Sequence, residues 1–198
     1  MRTYSPALLL PLLRSKLQGD LLALLFLHPD DSYSLTDAAR LTGVSPQTIH
    51  TEASRLVEGG IITDSRIGRT RLIRANRNTP LFQPLTELMQ VTYGPLPVLR
   101  DALQDVPGVR EAMIYGSWAA RYQGHTGPIP NDVDVLVIGT TDLDTLDDIA
   151  AYARRTLHRE VNIRRITPQD YDVAIAEDLF LQHVTSSPLV YIKELSQQ

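Results

Sequence analysis

Apolar and polar positions alternate with two different periods along this chain. From Lys16 to Leu27 the leucines recur at helical spacing, and His28-Pro29 ends the run, which predicts a helix. Ser34–Leu41 predicts a second, short helix with Gly43 as its stop. Ser45 is an N-cap followed by Pro46 at the first helical position. A third helix then runs from Gln47 to about Glu58 and stops at Gly59-Gly60, with Ile49, Ala53, Leu56 and Val57 as its buried face. After Gly60 the period changes to two. Ile61–Thr63 starts a strand, Arg71–Arg74 alternates as a half-buried strand does, and Ile67-Gly68 is the expected hairpin turn. Leu81–Gln90 predicts a further helix, which either completes this domain or pairs with its copy in a dimer. Tyr93–Pro97, with Gly94, Pro95 and Pro97, is the expected linker.

The second half alternates strands and helices. Val98–Val106 predicts a helix, and Val109–Tyr115 a first central strand. Val133–Ile138 is a dense β-branched run typical of a covered strand. Thr145–His158 predicts a crossover helix, whose Asp147-Asp148 near the start and Arg154-Arg155 near the end suit the helix dipole. A third strand follows at Asn162–Ile166, readable from Glu160. Thr167 then caps a helix running to about Leu181, and Leu189–Ile192 is a final short edge strand. The expected fold is α+β with two domains, residues 1–92 and 96–198.

Charge sharpens that division. Residues 1–90 carry 10 Lys+Arg and 8 Asp+Glu, net +2, whereas residues 91–198 carry 9 and 15, net −6. There is no cysteine, which excludes a thiolate metal sensor and disulfide stapling. The five histidines, at 28, 50, 125, 158 and 183, lack metal-ligand spacing. Leu8–Leu13 and Leu21–Leu27 fall far short of the roughly 20 residues that span a bilayer, so no membrane partner is expected. The N-terminus lacks the pattern of a signal peptide, and the expected location is the cytoplasm.

The two short helices joined by Thr42–Val44 form a helix-turn-helix arrangement. On the second of them Ser45, Gln47, Thr48, His50, Thr51, Ser54 and Arg55 are polar candidates for an exposed face. Gln47 is able to contact adenine in a bidentate way, and Thr48, Thr51 and Ser54 suit phosphate. His50 either reads guanine or only faces solvent. The following hairpin contributes Arg66, Arg69, Arg71 and Arg74, then Arg77, with no acid among residues 66–77. Five cations in twelve residues suit a phosphate-binding wing. Ser15–Ala75 resembles the winged helix-turn-helix regulators of bacteria and archaea, particularly the arsenic-repressor-like and multiple-antibiotic-resistance-repressor-like groups. That resemblance implies a homodimeric transcription regulator of double-stranded DNA, with Ser45–Arg55 in the major groove and the Arg66–Arg71 wing along the minor groove or backbone.

Gly116–Asp134 reads GSWAARYQGHTGPIPNDVD. A glycine-serine turn ends one apolar run, and Asp132 and Asp134 open the next. Strand alternation puts both carboxylates on one face, where they repel unless protonated or bridged by a cation. This segment resembles the signature of the small nucleotidyltransferase domains related to DNA polymerase beta: Gly-Ser, a short helix, then Asp-x-Asp on a strand. The resemblance covers roughly Leu96 to the C-terminus. It implies that Gly116 and Ser117 grip a nucleoside triphosphate while Asp132 and Asp134 hold Mg²⁺. The third carboxylate of that family falls at Asn162, which cannot act as a carboxylate base. Either Glu160, two residues earlier, takes its place, or the site binds nucleotide weakly, turns over slowly or has lost the chemistry. Arg121 stands later than the family's usual Ala-Arg; it either faces the phosphates or is a solvated helix residue.

Three functions follow from these readings. One is a DNA-binding regulator with an appended Mg-nucleotide-binding, nucleotidyltransferase-like domain of reduced activity. Another is an active nucleotidyltransferase that transfers a nucleoside monophosphate to a hydroxyl of a protein, nucleic acid or small molecule, as in toxin–antitoxin pairs. The last is a protein-interaction module with neither activity.

Overall fold

A computed structural model describes residues 12–174 and 177–194. The chain is a mixed α+β protein with two small sheets, and it divides between Gly94 and Pro95 into two compact units.

The N-terminal unit begins with α1 (Lys16–Leu27), started by the Ser15 hydroxyl, which accepts from the Gln18 N–H. Every residue from Leu21 to Leu27 is buried, so α1 is the central helix of this unit rather than an amphipathic cover. A two-residue strand β1 (Tyr33–Ser34) leads into α2 (Leu35–Thr42), with Ser34 as its cap, and α3 (Pro46–Glu58) follows from the Ser45 cap. β2 (Ile62–Ile67) and β3 (Thr70–Ala75) form an antiparallel hairpin, β1 pairs with the other edge of β3, and α4 (Phe82–Tyr93) closes the unit. Leu21, Leu25, Phe26, Ile49, Ala53, Ile62, Ile73 and Met89 meet in one core.

Three expectations for this half change. The hairpin turn is Gly68-Arg69, not Ile67-Gly68: Ile67 pairs with Thr70 inside the ladder and is 71% exposed, while Gly68 takes the left-handed conformation at φ 59°. The helix after the hairpin extends past Gln90 to Tyr93, and Leu81 and Leu88 remain exposed while Met89 is buried. The Tyr93–Pro97 linker reduces to Gly94, because Pro95 and Pro97 lie inside the first turn of a helix, where proline's missing N–H costs nothing. Of the apolar segment Leu8–Leu13, residues 8–11 lie outside the described residues.

The C-terminal unit opens with α5 (Pro95–Leu103) and β4 (Val109–Tyr115), followed at once by the short helix α6 (Gly116–Tyr122). β5 (Asp132–Gly139), α7 (Leu143–Leu157) and β6 (Glu160–Ile166) form a strand–helix–strand crossover, so β5 and β6 are parallel. The chain ends in α8 (Pro168–Ala174), α9 (Leu179–Ser186) and the edge strand β7 (Val190–Lys193), giving the sheet order β6-β5-β4-β7. The single helix expected from Thr167 to about Leu181 is therefore two, because the Asp178 carboxylate accepts from the Phe180 N–H at 2.7 Å and starts a new helix.

β5 is covered on both faces. Val133, Val135 and Val137 pack with Leu99, Leu103, Trp118, Ala153 and Leu157 from α5, α6 and α7. Leu136 and Ile138 pack with Met113, Leu181 and Val184, on the face of α9. Asp132 and Asp134 continue that second face to the N-terminal end of β5, where they are less covered. Among the described residues no helix is long and apolar enough to cross a membrane.

Candidate functional site

Each unit carries one candidate site. In the N-terminal unit it is the outer side of α3. The Ser45 hydroxyl accepts from the Thr48 N–H at 3.2 Å and lies 2.7 Å from the Thr48 hydroxyl, so both side chains serve the cap as well as the surface. The Thr51 hydroxyl donates to the Gln47 carbonyl at 3.1 Å. Gln47 and His50 are exposed.

Both flanks of α3 are tied down. On one flank the Arg71 guanidinium donates to the Asp64 carboxylate at 2.7 Å and to the Ser54 hydroxyl at 3.0 Å, joining the hairpin to the helix. On the other, the Gln18 amide of α1 donates to the Glu52 carboxylate at 3.0 Å. Arg14 and Arg55 lie 3.7 and 3.6 Å from that same carboxylate. Glu52 is only 5% exposed, and one hydrogen bond and two nearby guanidinium charges offset the burial of its carboxylate.

The arginines of the hairpin do not form one surface. Arg71 is committed to its clamp, and Arg77 is paired with Asp30 at 2.7 Å. Arg66 stands opposite Arg71 in the ladder, whereas Arg74 stands opposite Thr63 and so projects from the other face of the hairpin. Arg66, Arg69 and Arg74 are exposed. The sequence pattern shows the run of positive charge but not the Asp64 partner just before it, nor the parity that separates Arg66 from Arg74.

In the C-terminal unit the site sits where β4 ends and β5 begins. Gly116 follows Tyr115 with φ 70°, a conformation that strains any other residue, and a Cβ at this point would lie 3.6 Å from an Asp134 carboxylate oxygen. The backbone thus turns sharply beside Asp134, and α6 runs on from there with Ser117 as its second residue. In the ladders Asp132 pairs with Glu160 and Asp134 with Asn162, so all four share the face of Leu136 and Arg164. The Asn162 amide donates to the Asp134 carboxylate at 3.1 Å. Glu160 is drawn away by Arg154, whose Nε lies 3.5 Å from its carboxylate at an exposed site. Arg121 turns into the following loop: it donates to the His125 carbonyl, and a Cβ on Gly127 would lie 2.6 Å from its guanidinium. It organises the loop, and the imidazole of His125 takes no part in that bond.

Tyr115 is a neighbour the sequence reading missed. It stands opposite Asp134 on β4, and burial, with Asp134 and then Asp132 adding to it, pushes its phenol above the ordinary range. Its ring meets Phe180 edge-on at 5.7 Å. The Arg164 guanidinium covers Phe180 at 4.1 Å and reaches Asp178 at 3.9 Å. Strand alternation from Asn162 to Arg164 was the available signal for this wall.

Mg²⁺ takes six oxygens and is often held by one or two carboxylates together with substrate phosphates. Asp132 and Asp134 are the carboxylates of this site that could enter such a shell. A self-sufficient protein cage is not built here: among the described residues no three His, Cys, Asp or Glu side chains are grouped to hold a metal. Compared with protein-family models, curated proteins and solved structures, the chain matches none of them.

Proposed function

We propose that this protein is a DNA-binding regulator of the winged helix-turn-helix type, acting as a homodimer, whose second unit binds a nucleoside triphosphate with Mg²⁺ and has little transfer activity. The observation that carries the DNA reading is the outer side of α3, with Gln47 and His50 exposed and the helix braced on both flanks by Arg71–Ser54 and Gln18–Glu52. A helix that reads base edges must be held rigidly relative to the backbone contacts around it. Arg66 and Arg69 supply exposed positive charge beside it.

The second half of the proposal rests on Asp132 and Asp134 beside the Gly116 turn. Those residues would hold one Mg²⁺, which when bound neutralises phosphate charge and polarises a phosphoryl oxygen. Gly116 and Ser117 would meet the phosphates. Asn162 in the position of a third carboxylate occupies Asp134 with a neutral donor and offers no acceptor for a hydroxyl proton. Reduced turnover follows from that substitution.

One observation favours an active enzyme instead. The Glu160–Arg154 pair is exposed, with the Glu160 side chain 76% accessible, so releasing it costs about 1 kcal/mol or less. Glu160 shares the face of Asp132 and Asp134 and is free to swing toward them at that cost.

An electrophoretic shift titration on duplex DNA at two salt concentrations tests the first half. Affinity should fall steeply with salt, and absence of any shift at low salt overturns it. Titration calorimetry with each nucleoside triphosphate, with and without Mg²⁺, tests the second. Silence in every case returns this unit to a protein-interaction role.

A further inference from the structure

We propose that Arg14, at the head of α1, is a phosphate-contacting residue of the DNA interface and that the buried Glu52 is the positioning residue that aims it. This deepens the DNA-binding reading above and rests on it. Arg14, Ser15 and Leu17 from the start of α1 and Gln47, Thr48, Thr51, Glu52 and Arg55 from α3 line a cleft of about 510 Å³. The cleft opens on the flank of α3 away from the hairpin, next to the exposed Gln47.

The charges in this corner are not those of an ordinary surface ion pair. One carboxylate, 5% exposed, accepts a hydrogen bond from the Gln18 amide at 3.0 Å and forms ion pairs with Arg14 at 3.7 Å and Arg55 at 3.6 Å. The two guanidiniums remain half exposed, 59% and 52%, while their common acceptor is covered. Two cations over one anion leave a net charge of +1. Each guanidinium has five N–H donors, and contact with one carboxylate leaves several for an oxyanion. The Gln18 bond holds the carboxylate, the carboxylate draws both guanidiniums toward one point, and Thr48 and Thr51 line the same cleft. Such a corner suits a tetrahedral phosphate oxyanion reached by Arg14 and Arg55 together. On duplex DNA it would grip a backbone phosphate on one side of the groove while Arg66 and Arg69 of the hairpin flank the other side of α3. The contact positions the helix and carries no sequence information of its own.

The test uses the full chain and a duplex of about 30 base pairs, with affinity measured at several salt concentrations. Arg14→Ala should weaken binding by about three- to tenfold on every sequence and reduce the slope of log affinity against log salt by about one. Glu52→Gln gives the discriminating result. It removes a negative charge, so a purely electrostatic role predicts tighter binding; a positioning role predicts weaker binding despite the gained charge. Melting of each variant is followed in parallel. If Glu52→Gln does not fold, Arg14→Lys decides, because it keeps the charge and loses the planar fork, and it should lie between wild type and Arg14→Ala. A wild type that binds duplex, with Arg14→Ala matching it in affinity and salt slope, overturns this inference alone. A wild type that binds no duplex at low salt overturns the DNA reading and this inference with it.

Discussion

Asn162 donates its side-chain amide to the Asp134 carboxylate at 3.1 Å across the parallel pair of β5 and β6. A neutral donor therefore satisfies one lone pair of a carboxylate that would otherwise face a second carboxylate. This arrangement keeps a further negative charge off the position opposite Asp134, while Glu160, opposite Asp132, is paired with Arg154.

Asn162→Asp reverses that arrangement. Like charges directly opposite in adjacent strands destabilise, here by about 1 kcal/mol, so the variant should melt a few degrees lower without Mg²⁺. Added Mg²⁺ should recover the loss, since the ion binds the folded state preferentially. With triphosphate and a suitable acceptor present, turnover should rise roughly 10²–10⁴-fold from the restored acid–base group. Melting with and without Mg²⁺ checks the first part even if no acceptor is known. An unchanged melting temperature in both conditions would refute the picture of a site that accepts a carboxylate at position 162 only with a cation bound.

Asp134→Ala should act in the opposite direction. A single remaining carboxylate, Asp132, holds Mg²⁺ poorly, and the polyphosphate stays unneutralised. Any triphosphate binding by this variant should become independent of Mg²⁺ in calorimetry. Equal Mg²⁺ dependence in the variant and wild type would show that Asp134 is not a metal ligand.

Arg69 and Arg71 should separate function from stability. Arg71 joins Asp64 and Ser54, so Arg71→Ala should lower stability by about 1–2 kcal/mol through the lost charged hydrogen bonds and the partners they leave. Arg69, in the exposed turn, should leave stability within about 0.5 kcal/mol of wild type when replaced by Ala while weakening DNA binding on all sequences. Denaturant melts beside shift titrations distinguish the two. Equal melts for both variants would show that the Arg71 clamp contributes nothing.

The elements that carry their own local signals were legible in the sequence. α1 and β4 have the predicted bounds, and α3 differs by one residue, because Ser15 and Ser45 cap and the apolar spacing is dense. What escaped depends on neighbours distant in the chain. The Arg14 and Gln18 partners of Glu52 lie just before and on another helix, although its place on the buried stripe between Ile49 and Leu56 hinted at a committed carboxylate. Pro95 and Pro97 read as loop breakers, yet proline fits a first helical turn equally well, and only packing against the sheet decides. Asp132 and Asp134 were legible as a pair because strand parity fixes their common face, whereas Asn162 was set beside them only by the resemblance to the nucleotidyltransferase domains. Whether Glu160 joins them was not, since Arg154 competes for it from α7.

Tyr93 makes the last prediction. Its hydroxyl is buried without a hydrogen-bond partner among the described residues, packed over Gly19 of α1. Burial first, and the nearby Asp20 second, push its phenol up to about 12 from an ordinary 10. A raised folded-state value means that the folded protein holds the proton more tightly than the unfolded chain. The stabilisation is fully present below pH 10 and is lost as pH rises from about 10 toward 12. Tyr122, whose phenol accepts from the Leu96 N–H, is shifted in the same direction by burial and steepens the loss. Tyr93→Phe removes the unpartnered hydroxyl, so at pH 7 it should be neutral or stabilising by up to about 1 kcal/mol. In urea melts between pH 8 and 11.5 the variant should also lose stability more gently than wild type above pH 10. Identical pH profiles would show that the Tyr93 phenol ionises in the folded protein as readily as in the unfolded chain.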